Sequence, residues 1–378
     1  MKIGIDTFAC AGGKSALGEY ITQILKRIPP SGDLYELFGW DFDRFAFSEI
    51  AQQCEFIPQC FVNGETANAL WHIFKYPEFV RKRKYTVCFF PAAHLCLSYK
   101  SPCPTVGVIH AIPSHWRQQW RIWERFTGVG RLVLPASIRK LDRIIAVSHW
   151  VKQELITFAG VKDSHIDVIP NGIDLTLFYP RPKNEESVLL IQPFSFRKPY
   201  ILYESCIEHP SKNHKTLIEA FGIFKDRTHY PHRLVLAGVD GYGAEQVKVS
   251  ATASRYRNDI FFTGYFPAKS LPELYAGAAM VVIPSMDEGF GSSVLAAMAS
   301  GVPVACARSA SLPETAGDTA LYFYSRNSDE MAECMVTLAT NRDVYRECRN
   351  AGMQRAQEFS WDLCAERTLQ IIQETAGK

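Results

Sequence analysis

The chain has 378 residues, 47% hydrophobic and 21% charged, with a formal net charge of +2. Such a length supports two domains with full cores, and the near-neutral balance excludes a chain built mainly around nucleic acid, which shows as a clearly basic domain. Eleven cysteines, an odd number with no CxxC spacing, point to a reducing cytoplasm, and no apolar run reaches the ~20 residues that span a bilayer, so any membrane contact is expected to be peripheral.

Lys2 to Asp6 reads as a short buried strand. Gly12 and Gly13 follow it in the segment ACAGGKS, and an amphipathic helix runs from Leu17 to Arg27. A glycine pair between the first strand and first helix lets backbone come close to a ligand. The GGKS segment lacks the first glycine of a P-loop, because Phe8 stands in its place, so a tight βα connection is the competing reading. Residues 31 to 84 carry several aromatics and end in the basic run Arg81 to Lys84, the usual mark of a solvated helix end. Val87 to Pro91 and Val106 to His110 are two more buried strands. His110 ends its strand on the side where α/β sheets bind ligands, although a lone histidine is as readily a satisfied core residue.

In Ser114 to Phe126, Trp116, Trp120 and Trp123 recur at helical spacing, with Arg117, Arg121 and Arg125 on the flank. Such a helix either rests on an anionic membrane surface or turns its tryptophans into a core. Arg143 to Ser148 and Ile166 to Pro170 are further strands around a helix from Val151 to Phe158. Proline and charge then dominate Tyr179 to Glu186, which predicts a linker. Beyond it come strands at Val188 to Gln192 and Ile201 to Tyr203, then the basic segment EHPSKNHK ahead of a helix from Thr216 to Lys225. Strands at Leu234 to Gly238, Ile260 to Gly264 and Met280 to Ile283 complete the alternation, which predicts an α/β chain with two parallel, doubly wound sheets. After the last of these strands, Glu288 precedes a glycine-flanked helix start at Gly289 to Ser293. An acid beside free helix N–H groups suits a ligand that carries both hydroxyls and phosphate.

The stretch PSMDEGFGSSVLAAMASGVPV resembles the PSxxEGFGxPxLEAMAxGxPV signature of the retaining glycosyltransferase family GT4. AVSHWVKQEL, VIPNGID, SKNHKTLIEAF, GYFPAKSLPELYAGA, SLPETAGD and the terminal FSW helix extend the likeness over nearly the whole chain. The resemblance implies the GT-B fold, two Rossmann-like domains facing each other across a cleft. It divides the chain into residues 1–182 plus 361–378, an acceptor-side domain with a returning C-terminal helix, and residues 183–360, a nucleotide-sugar-binding domain. By the same likeness Glu288 contacts hydroxyls of the donor sugar, and Gly289, Phe290 and Gly291 cap it. Ser292 and Ser293 meet the pyrophosphate, Lys212 neutralises the leaving diphosphate, Gly12 and Gly13 close over the phosphates, and His110 lies near the anomeric carbon.

Three departures bear on this transfer. The family's second glutamate, which usually holds the nucleotide ribose, is Ala296; the family's His-Asp pair is His110-Ala111; and an arginine common before the lysine is absent. The implied activity is transfer of a hexose from a nucleotide diphosphate sugar with retention, the sugar favoured being mannose from GDP-mannose. None of the strands read above ends in an Asp-x-Asp motif, so neither a metal nor another cofactor is expected. The implied partners are the nucleotide-sugar donor, a glycan or lipid-linked acceptor and anionic membrane through residues 116–126, with no nucleic acid. The location expected is the cytoplasm or the inner face of the cell membrane. Against the enzyme stand a catalytically degenerate sugar-nucleotide-binding protein and another activity on the same fold, such as a nucleotide-sugar epimerase.

Overall fold

The computed structural model describes residues 1–8, 10, 16–30, 32–47, 54–59, 68, 70–93, 101–112, 136–182, 188–191 and 193–377. Gly12, Gly13 and the tryptophan-arginine segment 116–126 lie outside them. The chain divides into two compact units, Met1–Gly172 with Trp361–Lys378, and Ile173–Ser360.

The first unit is built on a seven-stranded parallel sheet: β1 (Lys2–Asp6), β2 (Leu34–Trp40), β3 (Cys54–Gln59), β4 (Val87–Phe90), β5 (Thr105–Ile109), β6 (Arg143–Ala146) and β7 (Ile166–Val168). Their spatial order is β3-β2-β1-β4-β5-β6-β7, so the winding reverses between β1 and β4. β2 and β3 fall within the aromatic-rich stretch that shows no strand pattern in the sequence. For β2 the reason is Glu36, a carboxylate in the middle of the buried strand. Arg83 Nε donates to it at 2.8 Å, Tyr85 Oη at 2.9 Å, and Lys2 Nζ lies 2.8 Å from its other oxygen. Burial opposes the charge, yet these partners hold the Glu36 carboxyl below its usual range. The basic run 81–84 is therefore not wholly a solvated helix end, since Arg83 is taken inward as a counter-ion.

The helix Trp361–Ala376 closes this unit. Its Thr368 hydroxyl lies 3.3 Å from that of Tyr20, Arg27 Nε reaches Asp362 at 2.5 Å, and Arg143 lies 3.6 Å from Glu374. Gly172 is where the chain passes this helix, and a Cβ there would meet the Trp361 backbone nitrogen at 2.2 Å.

In the second unit, β8 (Val188–Ile191) pairs antiparallel with β9 (Phe194–Arg197) in a two-stranded sheet of its own. The sequence pattern expects 188–192 to open the second parallel sheet. Instead the chain turns at Pro193 and pairs back on itself, leaving Leu190 71% exposed. The parallel sheet has six strands: β10 (Tyr200–Glu204), β11 (Arg233–Ala237), β12 (Ile260–Gly264), β13 (Met280–Ile283), β14 (Val304–Ala307) and β15 (Leu321–Phe323). Their order is β12-β11-β10-β13-β14-β15. The winding reverses between β10 and β13, which pair through Ile201 with Met280 and Leu202 with Val281. Crevices at the carboxyl ends of strands flanking such a reversal are where doubly wound sheets take ligands. The division into units falls ahead of the proline-rich stretch at 179–186. Residues 173–178 already belong to the second core, with Ile173 N bonded to Phe359 O at 3.1 Å and the Phe178 ring 6.0 Å from that of Tyr275.

No described helix is long and apolar enough to cross a membrane. Gly172→Ala is expected to lower stability by about 1–3 kcal/mol, because the added methyl meets fixed backbone rather than a flexible side chain. A lower denaturation midpoint with unchanged m-value checks it.

Candidate functional site

β13 is a run of four fully buried residues, MVVI, and the loop after it lies at the winding reversal. Side chains stitch that loop in place rather than leaving it to its own turn geometry. Ser309 Oγ donates to Ser285 O at 2.7 Å, Ser311 Oγ donates to Glu288 O at 2.7 Å, and the Thr315 hydroxyl donates to Phe290 O. Gly291 then takes φ +89°, a left-handed conformation that an L side chain resists, and caps the helix Ser292–Ala299. Small residues let that helix pack deeply, and Val294 to Ala299 are buried.

The loop after β10 is locked to the same place. Met286 N donates to Ser211 O at 2.9 Å, and Asn213 Nδ2 donates to Pro284 O at 3.2 Å and to Ser325 O. Asn213 is itself left-handed, φ +56°, a conformation asparagine tolerates better than most residues. Tyr203 Oη donates to Lys212 O at 3.1 Å. His214 opens the next helix, fully buried, with Nε2 3.2 Å from Ser205 Oγ and Nδ1 3.3 Å from Glu208 O.

These two loops bring Lys212 and Glu288 together. Lys212 Nζ donates to Glu288 Oε1 at 2.6 Å, and both side chains keep about a fifth of their surface open, 22% and 21%. Burial works against the ammonium, but the adjacent Glu288 carboxylate, with Tyr203 and Glu208, raises its pKa above the ordinary lysine value. Lys212 is thus a fixed positive charge at the start of a helix. Gly289 and Ser293 are half-buried beside it, Phe290 and Gly291 are buried, and Ser292 is exposed.

One residue of this cluster has no counterpart in the sequence-based set. Glu204 ends β10, and Tyr275 Oη and Ser293 Oγ each donate to its Oε2 at 3.0 Å. Ser293 Oγ also lies 3.2 Å from Glu204 O, so this hydroxyl is engaged by the strand end. Burial raises the Glu204 pKa; the Ser293 and Tyr275 hydrogen bonds and the Lys212 charge oppose the rise, and Glu288 adds to it. The signal in the sequence was an acid directly continuing the buried run YILY, easily taken for the first residue of a loop.

His110 belongs to the first unit, just beyond β5. It is half-buried, its Nε2 lies 2.9 Å from Pro91 O, and its ring meets Tyr20 edge-on at 4.9 Å. Because a carbonyl only accepts, Nε2 is the protonated nitrogen. Burial pushes the pKa down to about 4, partly offset by that hydrogen bond. Lys212, Glu288 and residues 289–293 thus converge within the second unit, while His110 is placed in the first.

The family described as Glycosyltransferase Family 4 matches residues 19–177, and that described as Glycosyl transferases group 1 matches residues 192–355. The O-antigen chain mannosyltransferase B of Escherichia coli is 34% identical over 238 residues, which are 62% of this chain and 61% of that protein. The alpha-maltose-1-phosphate synthase of Mycolicibacterium smegmatis is 28% identical over 292 residues, 72% of this chain and 74% of its own length. Among solved structures, the sucrose-phosphate synthase of Thermosynechococcus elongatus has TM-score 0.76 at 18% identity, over 99% of this chain and 98% of its own. Anabaena HepE in complex with UDP and glucose has TM-score 0.74 at 18% identity, over 99% of both chains. These structural likenesses establish the fold, GT-B.

Histidines whose pKa values burial lowers make stability depend on pH. His110 and His214 are both lowered by burial from 6.5 to about 4. Below pH 6.5 the unfolded chain takes up protons that the folded one refuses, so stability is full above that pH and falls as pH drops toward 4. Urea titrations across this window are expected to show the decline, and His110→Gln to make it shallower.

Proposed function

The chain belongs to the GT4 glycosyltransferases, and from that premise we propose that it moves a hexose from a nucleoside diphosphate sugar to a glycan or lipid-linked hydroxyl, retaining configuration. The proposed sugar is mannose carried on GDP, which the likeness to an O-antigen mannosyltransferase supports. The HepE structure with UDP and glucose makes UDP-sugars the competing donors.

The observation that carries the reading is the 2.6 Å pair between Lys212 and Glu288 beside the start of the helix Ser292–Ala299. Glycosyl transfer needs positive charge where the diphosphate departs and a carboxylate to hold sugar hydroxyls while the ring becomes cationic. Lys212 and the free N–H groups of the first helical turn supply the charge. Glu288 keeps its second oxygen for hydroxyl donors. In the proposed step the bond from the anomeric carbon to the phosphate oxygen breaks, and the acceptor oxygen bonds the same face of that carbon. Its proton passes to the leaving phosphate. Because protein groups supply the neutralising charge, no metal takes part in this proposal.

Ala296 and Ala111 favour a second reading, a protein that binds sugar nucleotides without turning them over. Lys212→Ala and Glu288→Ala are each expected to lower kcat for nucleotide release by about 10²–10³, the scale for losing one preorganised electrostatic contact. EDTA is expected to leave the rate unchanged. A wild-type protein that binds GDP-mannose or UDP-glucose by thermal shift, yet releases no nucleotide with any glycan acceptor, would sink the transferase reading.

The proposed site of action is the cytoplasmic face of the membrane, with residues 116–126 as a peripheral contact. Trp120→Ala combined with Arg121→Glu is expected to reduce co-sedimentation with anionic liposomes, and unchanged sedimentation would assign this segment to a core.

A further inference from the structure

We infer that Glu204, at the end of β10, is the acid that receives the ribose hydroxyls of the donor nucleotide. The inference rests on the nucleotide-sugar reading above. Its starting point is an imbalance in how the two carboxylate oxygens are used. Oε2 accepts from both Tyr275 Oη and Ser293 Oγ, at 3.0 Å each, whereas Oε1 receives no hydrogen bond from the described residues. No ion pair forms at Glu204 among those residues either, although Lys212 and Glu288 are near enough for both charges to act on it. Glu204 is half-buried and its Oε1 is not among the side-chain atoms sealed from solvent without a partner, so the donors of a ligand can reach it. Oε1 is the atom left for a ligand.

The location decides which ligand groups reach it. The hydroxyl of Ser293 fixes the carboxylate over the first turn of the helix Ser292–Ala299. On that face of the helix the residue one turn further on is Ala296, 6% exposed, which has no polar group to offer. A nucleoside diphosphate sugar carries hydroxyls on both sides of its phosphates, on the hexose and on the ribose. Glu288 and Lys212, joined at 2.6 Å, serve the hexose and the leaving phosphate in the proposed reaction. The ribose diol is the remaining donor pair, and Glu204 is the acid hydrogen-bonded to this helix start, whereas Glu208, also near Lys212, accepts from Ser211 within its own loop. A carboxylate beside bound phosphate also has to face hydroxyls, since a second anion there would be repelled.

The test compares GDP with 2′,3′-dideoxy-GDP, and UDP with its dideoxy counterpart, by titration calorimetry on the full chain. Wild type is expected to bind the ribose form about tenfold to a hundredfold more tightly, the scale of one charge-assisted hydrogen bond. In Glu204→Ala the ratio is expected to fall to about one. Glu204→Gln retains a carbonyl to accept from Tyr275 and Ser293, so it keeps the local structure, and its ratio is expected to drop severalfold. A Glu204→Ala or Glu204→Gln protein that discriminates as well as wild type overturns the role of Glu204 and leaves the transferase reading standing. A wild type that binds none of the four nucleotides overturns both.

Discussion

Everything around the site depends on holding one ammonium and one carboxylate in contact at the reversal of a parallel sheet. Lys212 and Glu288 come from loops 76 residues apart in the chain, and neither loop has regular structure of its own to place them. Their position is fixed by backbone carbonyls that point into neighbouring side chains. Asn213 ties the first loop to Pro284 and Ser325, and Ser309, Ser311 and Thr315 tie the second to the segment after β14. Each bond satisfies a carbonyl that a loop would otherwise present to water or bury unpaired. Rigid loops are the condition under which an ion pair acts as a preorganised electrostatic element rather than a mobile surface contact.

The two sheets treat the ends of their central strands in contrasting ways. Asp6 ends β1 and Glu204 ends β10, each beside the reversal of its sheet. Asp6 is fully committed within the protein: Oδ1 accepts from Phe8 N at 2.9 Å, and Oδ2 lies 2.6 Å from His72 Nε2. His72 is itself anchored through Nδ1, 2.7 Å from Asn68 O. That acid is an internal brace. Glu204 has one oxygen braced and, among the described residues, the other not, the contrast on which its proposed ligand role rests.

The alternation of apolar runs and amphipathic helices made the doubly wound sheets legible, because a strand buried on both faces has to be a continuous apolar run. It failed where a buried charge interrupted the run. Glu36 hid β2, and nothing local in LYELFGW announces that Arg83, Lys2 and Tyr85 come together around it from elsewhere in the chain. It failed again at 188–191, where apolar composition fits a hairpin as well as a sheet strand. At the site, Glu288, Gly291 and Lys212 could be singled out by residue type and by resemblance, since glycine and a charged residue at a strand-loop-helix junction carry their chemistry in their identity. The role of Ser293 could not. A serine at a helix start looks like a group offered to a phosphate, and only the fold shows its hydroxyl turned back to Glu204.

That turn of Ser293 changes how the helix start works. With the Ser293 hydroxyl engaged, the proposed anion binding there falls to backbone N–H groups, Lys212 and the exposed Ser292 hydroxyl. The helix end carries a partial positive charge that favours any nearby anion, and Glu204 is such an anion. A diphosphate arriving at the same end would compete with the Glu204 carboxylate for that field and repel it. The conflict is resolved if the arriving molecule brings its own donors to the acid, because hydroxyl hydrogen bonds to Oε1 stabilise the charged form where burial alone disfavours it. On the proposed reading, phosphate and diol on one ligand support each other at this site, whereas inorganic diphosphate alone brings the repulsion without the compensation. On the proposed role of Glu204, the pairing of a helix start with an adjacent half-satisfied acid favours nucleotides over simple phosphates by electrostatics.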